Sequence, residues 1–400
     1  MKARAFQADY LFPVSSLPVK NGILITDSDG KILRLAEQEE REKVIREYSI
    51  GEIEKFNGIL CPGFINSHCH LELSHLRGKF SRRKGLPFFL REVMKRREEF
   101  SEDEVKLKML EADREMLKNG IVAVGDICNN EQSFEIKSRS EIRYHNFIEL
   151  FGLQSANAEK VISNGAALLD RSAMLNIPAS LVPHAPYSCS AELLRRIFQY
   201  RNNGFPLLSM HNQETESENL FFMNATGPLY DFINSIGSGV EEKPSGMNST
   251  ETALRELDQH SKLMLVHNTF SKEEDLETIQ KKHPLTWFCL CPNANEFIEN
   301  RLPDIRMMMR RKVSSLMGTD SLASNDFLSI LGEMKTIRRS FPEIGFADML
   351  PWATQNAADF FGFSKFGSFE EGKTPGVNLV TGLTGSSFRL SDDSAVRRLI

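Results

Sequence analysis

The sequence has few of the features that mark secreted, membrane-spanning or nucleic-acid-binding proteins. Its six cysteines are scattered over 400 residues with no C-x-x-C pair, which argues against a disulfide framework and for a reducing compartment. No apolar run reaches the length of a membrane span, and the N-terminus lacks the apolar core of a signal peptide. Lysine and arginine total 49 against 54 acidic residues, so we expect no cationic surface for nucleic acid or membrane. A cytoplasmic protein is therefore expected.

Two known functional signatures are also missing. Residues 367–374 match the G-x4-G-K-T spacing of a phosphate-binding loop, but Pro375, Gly376 and an apolar β-like run follow where a helix would have to begin. The signature of one zinc-deaminase fold, which combines H-x-E with P-C-x-x-C, is absent because the sequence has no P-C-x-x-C. Neither a nucleotide-phosphate loop nor that deaminase fold is predicted.

The sequence does contain eight apolar segments separated mostly by helix-compatible stretches. This alternation over roughly 300 residues predicts an α/β protein built on a closed (β/α)8 TIM barrel. The predicted strands are 59–70, 121–126, 141–149, 179–184, 205–211, 262–267, 285–291 and 313–320.

Both chain ends differ from this pattern, because they contain short strand-like runs and turn signals. We expect the C-terminal runs to pair with the N-terminal ones. The predicted domains are a small composite β-sandwich from residues 1–57 plus 366–400, and a barrel from residues 58–365. Residues 37–48 are compatible with a short helix or a solvated loop.

The first barrel strand ends in a His-x-His pair. Side chains of a strand alternate between its faces, so His68 and His70 point the same way while Cys69 points to the other face. Two imidazoles on one face form half of a metal site. A lone His-x-His pair is also common by chance, so the other ligands must come from the rest of the chain.

Further polar residues fall at the carboxyl ends of the other predicted strands. The active sites of TIM barrels are built at that face, so this placement predicts a catalytic barrel. The residues in these positions are His70, Asp126, Glu149, His184, His211, His267 and Asp320.

Four of the strand-end side chains can converge on the barrel axis as metal ligands: His68, His70, His211 and Asp320. A catalytic zinc site has about three protein ligands and one open position for water, and the ion lowers the pKa of that water. We expect one divalent ion, zinc, with iron and manganese as alternatives. A second, bridged metal is not expected, because no lysine lies near the end of the fourth strand.

Catalytic roles are predicted for three residues. Glu214 follows His211 with H-x-x-E spacing and can act as general base and then general acid; the alternative is an ordinary acidic residue in a first helical turn. His267 would orient the nucleophile or move protons. Asp320 could accept a hydrogen bond from the nucleophile. His184 is expected to face the substrate, with a structural histidine as the alternative.

The segment from 212 to 260 is longer than a connecting helix requires. It has an aromatic cluster and a tip at 237–246 that is rich in glycine and serine. A lid or substrate wall is predicted, and a tip without a role is the alternative.

Together these motifs resemble the amidohydrolase superfamily, and within it the aminohydrolases that act on adenine-like rings. The motifs are Pro62-Gly-Phe-Ile-Asn-Ser-His-Cys-His70, Pro183-His-Ala-Pro-Tyr-Ser, Met210-His-Asn-Gln-Glu214, Val266-His267 and Gly318-Thr-Asp-Ser-Leu-Ala-Ser-Asn325. The resemblance implies that His68, His70, His211 and Asp320 bind the metal, that Glu214 and His267 transfer protons, and that His184 contacts substrate.

At the subfamily level, His70-Leu-Glu72-Leu-Ser is similar to the H-L-E-F-S element of aminodeoxyfutalosine deaminases. Other parts look equally like S-adenosylhomocysteine and methylthioadenosine deaminases. Such sequences carry C-P-x-S-N after the seventh strand, whereas this chain has Cys291-Pro-Asn-Ala294-Asn295.

The predicted function is hydrolytic deamination of an adenosine-type nucleoside such as aminodeoxyfutalosine, with release of ammonia. Glu72 and Glu149 are candidates for binding ribose hydroxyls or the ring edge, with structural roles as the alternative. One alternative function keeps the site but acts on another C–N or C–Cl heterocycle, such as a pterin, a triazine or guanine. Another is a non-catalytic ligand-binding relative. Because barrels of this type often pair, a homodimer is a further expectation.

Overall fold

The computed structural model describes residues 3–200, 207–237, 244–385 and 388–400. It divides into two compact units, one containing Met1–Asn66, Arg114–Ala123 and Ser329–Ile400, the other Ser67–Asp113 and Val124–Leu328. Among the described residues, no helix combines the length and the apolar composition that crossing a membrane requires.

The strands of the described residues are short and lie throughout the chain. They are β1 (Arg4–Leu11), β2 (Val19–Lys20), β3 (Ile23–Thr26), β4 (Ile32–Ala36), β5 (Ile53–Pro62), β6 (Phe64–Cys69), β7 (Ile121–Cys128), β8 (Arg143–Leu150), β9 (Ala179–Pro183), β10 (Leu207–Asn212), β11 (Lys262–His267), β12 (Thr286–Leu290), β13 (Ser314–Met317), β14 (Val377–Thr381) and β15 (Ala395–Arg398).

The α-helices of the same residues follow most of these strands. They are α1 (Arg41–Glu47), α2 (Leu86–Arg96), α3 (Glu102–Lys118), α4 (Phe134–Arg139), α5 (Ala158–Met174), α6 (Ala191–Gln199), α7 (Glu216–Asn224), α8 (Pro228–Ser235), α9 (Ser249–Ala253), α10 (Glu273–Lys282), α11 (Pro292–Glu299), α12 (Ile305–Arg310), α13 (Ile330–Ser340), α14 (Phe346–Met349) and α15 (Gln355–Phe361). Short 3₁₀ helices occur at Gln38–Glu40, Leu71–Leu76, Ser155–Asn157, Pro186–Ser188, Leu254–Glu256 and Leu350–Ala353.

In the first unit, strands from both chain ends form one seven-stranded sheet. Its order is β15-β14-β5-β1-β3-β4, with β2 on β1. β14 pairs antiparallel with β5, which places Val377 opposite Pro62. Phe6, Leu24 and Leu60 are fully buried in the apolar core beside it. The loop at 367–374 leads into strand β14 and not into the helix that a phosphate-binding loop requires.

Two four-stranded sheets contain the predicted barrel strands. Their orders are β6-β7-β8-β9 and β10-β11-β12-β13, and β8–β9 and the successive pairs from β10 to β13 run parallel. Each of the eight predicted segments overlaps one of these strands, although residues 59–62 of the first segment belong to β5. Phe205 and Pro206 of the fifth segment lie outside the described residues. Every residue of β7 is buried, as expected for strands covered on both faces.

Backbone contacts bring the carboxyl ends of the two parallel sheets together. The His211 amide at β10 donates to the carbonyl of His184, which follows β9, at 2.9 Å. On the opposite edges, Cys69 at the end of β6 pairs in parallel with Asp320, which follows β13. Side chains at the ends of β6, β9, β10 and β13 are therefore held near one another.

Helices α3 and α6 form in two of the helix-compatible stretches between the predicted strands. Gly120 has a φ of +75°, a left-handed conformation that suits glycine after a helix end. Ser190 caps α6 by accepting a hydrogen bond from the Leu193 amide at 3.2 Å. The segment at 37–48 forms a 3₁₀ turn followed by α1.

The long segment after β10 forms α7, α8 and α9. Its aromatic residues belong to an apolar cluster in the second unit, where Phe221 and Phe232 pack with Tyr187, Leu76 and Phe297. Residues 238–243 of the predicted tip lie outside the described residues.

Candidate metal centre and active site

The turn that carries His70 is anchored to the neighbouring strand β7. The amide of Leu71 donates to Asp126 Oδ1 at 2.8 Å. Asp126 also forms a fully buried ion pair with Lys137 of α4, with Nζ and Oδ2 2.5 Å apart. Lys137 donates in addition to Asn146 Oδ1 at 2.8 Å. Asp126, predicted among the strand-end residues, thus supports the turn beside His70.

Ring nitrogens and a carboxylate converge where the strand ends meet. His70 Nε2 lies 3.2 Å from His68 Nε2, 3.3 Å from His211 Nε2 and 3.4 Å from Asp320 Oδ1. Four ligands at about 2.0–2.1 Å around a tetrahedral ion lie roughly 3.3 Å apart. These donor atoms therefore have the spacing that one ion requires, and the predicted ligands are brought together.

The tautomer of His211 suits metal binding. Its Nδ1 lies 2.8 Å from the carbonyl oxygen of His184, and a carbonyl can only accept. Nδ1 therefore carries the proton, and the lone pair of Nε2 faces the cluster.

Burial keeps the clustered imidazoles neutral. It lowers the pKa of His68 and His70 well below the ordinary value, and it lowers the pKa of His211 as well. Burial alone would raise the pKa of Asp320, but the neighbouring His70 and His267 hold it below its usual range. A neutral imidazole and an ionised carboxylate are the forms that bind a metal.

Asp320 is held by a strained turn after β13. Its φ is +55°, a conformation that is uncommon for residues other than glycine and clusters at functional sites. Ser324 donates to Asp320 Oδ2 at 2.5 Å, which leaves Oδ1 toward the histidines. Asn325 fixes the same turn by donating to the Thr319 carbonyl at 2.9 Å.

Glu214 lies beside the cluster on the turn between β10 and α7. The residue is 4% exposed, and burial, with a smaller effect of Asp320, raises its pKa well above the ordinary value. Glu214 Oε1 lies 3.6 Å from His267 Nε2. The two residues predicted to transfer protons therefore face each other.

A second buried carboxylate, that of Glu218, fixes the backbone of the turn that carries Glu214. Glu218 accepts hydrogen bonds from the amides of Gln213 and Glu214 at 3.0 and 3.2 Å. Gln213 has a φ of +44°. Burial raises the pKa of Glu218 to about 7.

His267 ends β11 in a left-handed conformation, with a φ of +74°. Its ring stacks on His211 with centroids 5.5 Å apart. Its Nδ1 lies 3.0 Å from Asn295 Nδ2 of α11. His267 also lies close enough to His68 and His211 to complete a three-nitrogen cluster.

Asn129 links Glu72 and Glu149 by donating a hydrogen bond to each. The Asn129 amide donates to Glu72 Oε2 at 3.0 Å, and its side chain donates to Glu149 Oε2 at 2.9 Å. Glu149 Oε1 is buried and makes no hydrogen bond to the described residues. Burial raises the pKa of Glu72 to about 7, although Arg97, 3.5 Å from its Oε1, opposes the shift.

His184 is half-buried at the end of β9. Its Nδ1 lies 2.7 Å from the Ser188 hydroxyl, and its ring centroid lies 4.9 Å from that of His211. Burial lowers its pKa to about 4. A neutral ring at this position can serve as a hydrogen-bonding group toward a ligand.

The sequence prediction missed Glu218, Asn129, Lys137 and Asn295. Glu218 could have been found from its position four residues after Glu214, which places both on neighbouring parts of one helical turn. Asn295 belongs to the Cys291-Pro-Asn-Ala294-Asn295 motif, but no role was predicted for it. Asn129 and Lys137 act across different elements and have no local signal. Ala294 is fully buried, and nothing in the structure explains alanine at this position.

The sequence pattern of the amidohydrolase family matches residues 59–390, and the chain belongs to this family. It is therefore a hydrolytic enzyme whose family binds a divalent metal, in agreement with the buried His and Asp cluster.

Similar proteins agree with this assignment. The 5′-deoxyadenosine deaminase of Methanopyrus kandleri is 25% identical over 387 residues, covering 92% of this chain and 82% of its own. The aminodeoxyfutalosine deaminase of a Nitratiruptor species is 24% identical over 347 residues, covering 85% and 83%. The crystal structure of Helicobacter pylori aminofutalosine deaminase superposes with a TM-score of 0.80 at 20% identity, covering 96% and 93%. At this sequence identity, the superposition shows that the two proteins share a fold.

Proposed function

We propose that this protein is a metal-dependent deaminase that hydrolyses an adenosine-type nucleoside and releases ammonia. The observation that carries the proposal is the position of Glu214 and His267, 3.6 Å apart, beside a cluster of three histidines and Asp320. Relatives that act on several adenosine-type nucleosides support this substrate class. An aminodeoxyfutalosine-like nucleoside is one member of it.

His68, His70, His211 and Asp320 would hold the ion, and we propose zinc, with iron and manganese as alternatives. Imidazole and carboxylate donors suit all three metals. When bound, such an ion acts as a Lewis acid and lowers the pKa of a bound water.

Glu214 has the properties of a proton carrier for this reaction. Because burial raises its pKa, Glu214 is a stronger base than an exposed carboxylate and can take a proton from the attacking water. It would then deliver the proton to the ring nitrogen of the substrate, as general base and then acid. Asp320 accepts a hydrogen bond from the attacking oxygen, and His267 stabilises charge that develops on that oxygen.

Glu149, Glu72 and His184 are proposed to bind the rest of the substrate. Glu149 Oε1 lies 3.6 Å from His211 Nδ1 and makes no hydrogen bond to the described residues, so it can accept from a ribose hydroxyl while Oε2 is bound to Asn129. His184 has its Nδ1 occupied by Ser188, so its Nε2 remains for a ligand.

We also propose that the eight parallel strands close into a (β/α)8 barrel formed by residues 58–365. The backbone contacts at His184–His211 and Cys69–Asp320, on both edges of the two sheets, support this closure. Residues 1–57 plus 366–400 would form the small composite β-sandwich. The cytoplasmic location and the homodimer stay predictions.

The first experiment measures ammonia release from a panel of adenosine-type nucleosides, with the metal content of the same preparation. Turnover of one nucleoside with one equivalent of metal is expected. Metal without nucleoside turnover would contradict the substrate class and favour another heterocycle, such as a pterin or triazine. Absence of metal after reconstitution would contradict the ligand set.

The role of Glu214 has its own test. Glu214→Gln should lower kcat at least about 100-fold, because general acid–base catalysis contributes roughly 10²- to 10⁴-fold, while metal content stays unchanged. Glu216→Gln is the matched control, since Glu216 is exposed in the same turn. Equal activity of both variants would refute the proton-transfer role.

A further inference from the structure

His211 and His267 stack side by side, with centroids 5.5 Å apart and their planes 20° apart, yet their Nδ1 atoms meet different partners. His211 Nδ1 faces a backbone carbonyl, which forces a proton onto that nitrogen. His267 Nδ1 faces the side-chain amide of Asn295 at 3.0 Å. The function of His267 depends on which atom of that amide it meets.

The orientation of the Asn295 amide follows from its two neighbours. Its Nδ2 lies 3.0 Å from His267 Nδ1 and 2.8 Å from Thr269 Oγ1, so both of its protons have acceptors. Its Oδ1 has no hydrogen-bond partner among the described residues. The reversed amide would leave two buried donors without acceptors, and a buried unpaired N–H group is rarer and more costly than an unpaired carbonyl.

We infer that Asn295 is a positioning residue that makes His267 a proton donor and keeps it from binding the metal. By donating to Nδ1, Asn295 places the single proton of the ring on Nε2. That N–H bond then points toward Glu214 and the space in front of the cluster.

The hydrogen bond from Asn295 also decides whether His267 belongs to the metal ligands. His68, His211 and His267 lie close enough together to form a three-histidine metal site. A protonated Nε2 cannot coordinate an ion, so His267 is excluded from the ligand set and remains available to stabilise an oxygen. The assignment rests on the proposed metal centre but not on the identity of the substrate.

The direct test is the tautomer of His267 in the zinc-loaded wild-type protein without substrate. Histidine ¹⁵N NMR distinguishes protonated from unprotonated ring nitrogens, and the signals absent from His267→Asn assign the residue. The expected result is a protonated Nε2 and an unprotonated Nδ1. A protonated Nδ1 would overturn the inference, whether or not any nucleoside is deaminated.

Variants supply a second test on whichever substrate is turned over. Asn295→Asp has nearly the same shape but accepts a hydrogen bond, so it draws the proton to Nδ1. It should lower kcat on the order of 100-fold or more, with little change in KM, as expected for a wrong tautomer. Asn295→Ala imposes no tautomer and should lose less activity than Asn295→Asp. A purely structural role would reverse that order.

The control for the added charge is the double variant His267→Asn with Asn295→Asp. Without an imidazole there is no tautomer to set, so Asn295→Asp should cause little further loss of kcat in the His267→Asn background. Thermal unfolding and zinc content are measured for every variant. Equal fold losses in the wild-type and His267→Asn backgrounds would attribute the effect to charge and contradict the inference.

Discussion

The buried carboxyl group of Glu218 has a clear consequence for the pH dependence of stability. It is fully buried beneath the turn of Glu214 and accepts two backbone amides there. Burial raises its pKa from 4.5 to about 7. Between these two values the folded protein holds a proton that the unfolded chain has already lost.

The unfolding free energy should therefore fall as pH rises from about 4.5 to about 7, because the native state binds more protons than the unfolded state. Glu218→Gln removes this titration. The stability of the wild type relative to Glu218→Gln should decrease over that window by up to about 3 kcal/mol. Denaturant unfolding at several pH values measures it.

Glu216→Gln, on the exposed side of the same turn, should leave the pH slope of the wild type unchanged. A wild type and a Glu218→Gln variant with parallel profiles between pH 4.5 and 7 would show that the Glu218 carboxyl titrates at its ordinary pKa.

At the scale of elements, α4 is joined to β7 by the buried pair of Lys137 and Asp126. The same carboxylate holds the Leu71 amide beside His70. Removing one partner of a buried pair leaves an uncompensated charge and costs about 3–5 kcal/mol.

Lys137→Met should therefore lower the unfolding free energy by about that amount. Lys106→Met removes a cation from the same region, but its contact with Glu135 is exposed and 3.9 Å long. Exposed pairs contribute about 0–1 kcal/mol. Chemical denaturation of both variants gives the comparison, and similar losses would contradict a special role of Lys137.

The elements themselves were largely predictable, and their cross-contacts were not. Strands β6–β13 are local apolar runs, and their ends are marked by polar residues such as His70, His211 and Asp320. Lys137 and Asn295 carry no such mark. Lys137 lies in a short helix whose polar sequence is typical of a solvent-exposed helix. Asn295 contacts His267 only because α11 begins beside the end of β11.

At the scale of the molecule, the proposed metal should stabilise the fold by mass action. A ligand that binds only the native state adds about 4 kcal/mol at 1,000 times its dissociation constant. Removing the ion with a chelator should lower the unfolding temperature, and added zinc should restore it.

Asp320→Ala should abolish this response to zinc. Asp326→Ala should keep it, because Asp326 is exposed and lies on the surface with Arg82. A chelated wild type that unfolds at the unchanged temperature would contradict a metal held by the folded protein.

The pairing of Cys69 with Asp320 also has a consequence for folding. The two residues lie near the two ends of the segment that contains strands β6 to β13, and such long-range contacts form slowly because a large loop must close first. His68 and His70 leave the ribosome long before Asp320 does. The ion is therefore expected to enter late, after the first and last strands have met, and uptake of metal should report the completion of folding.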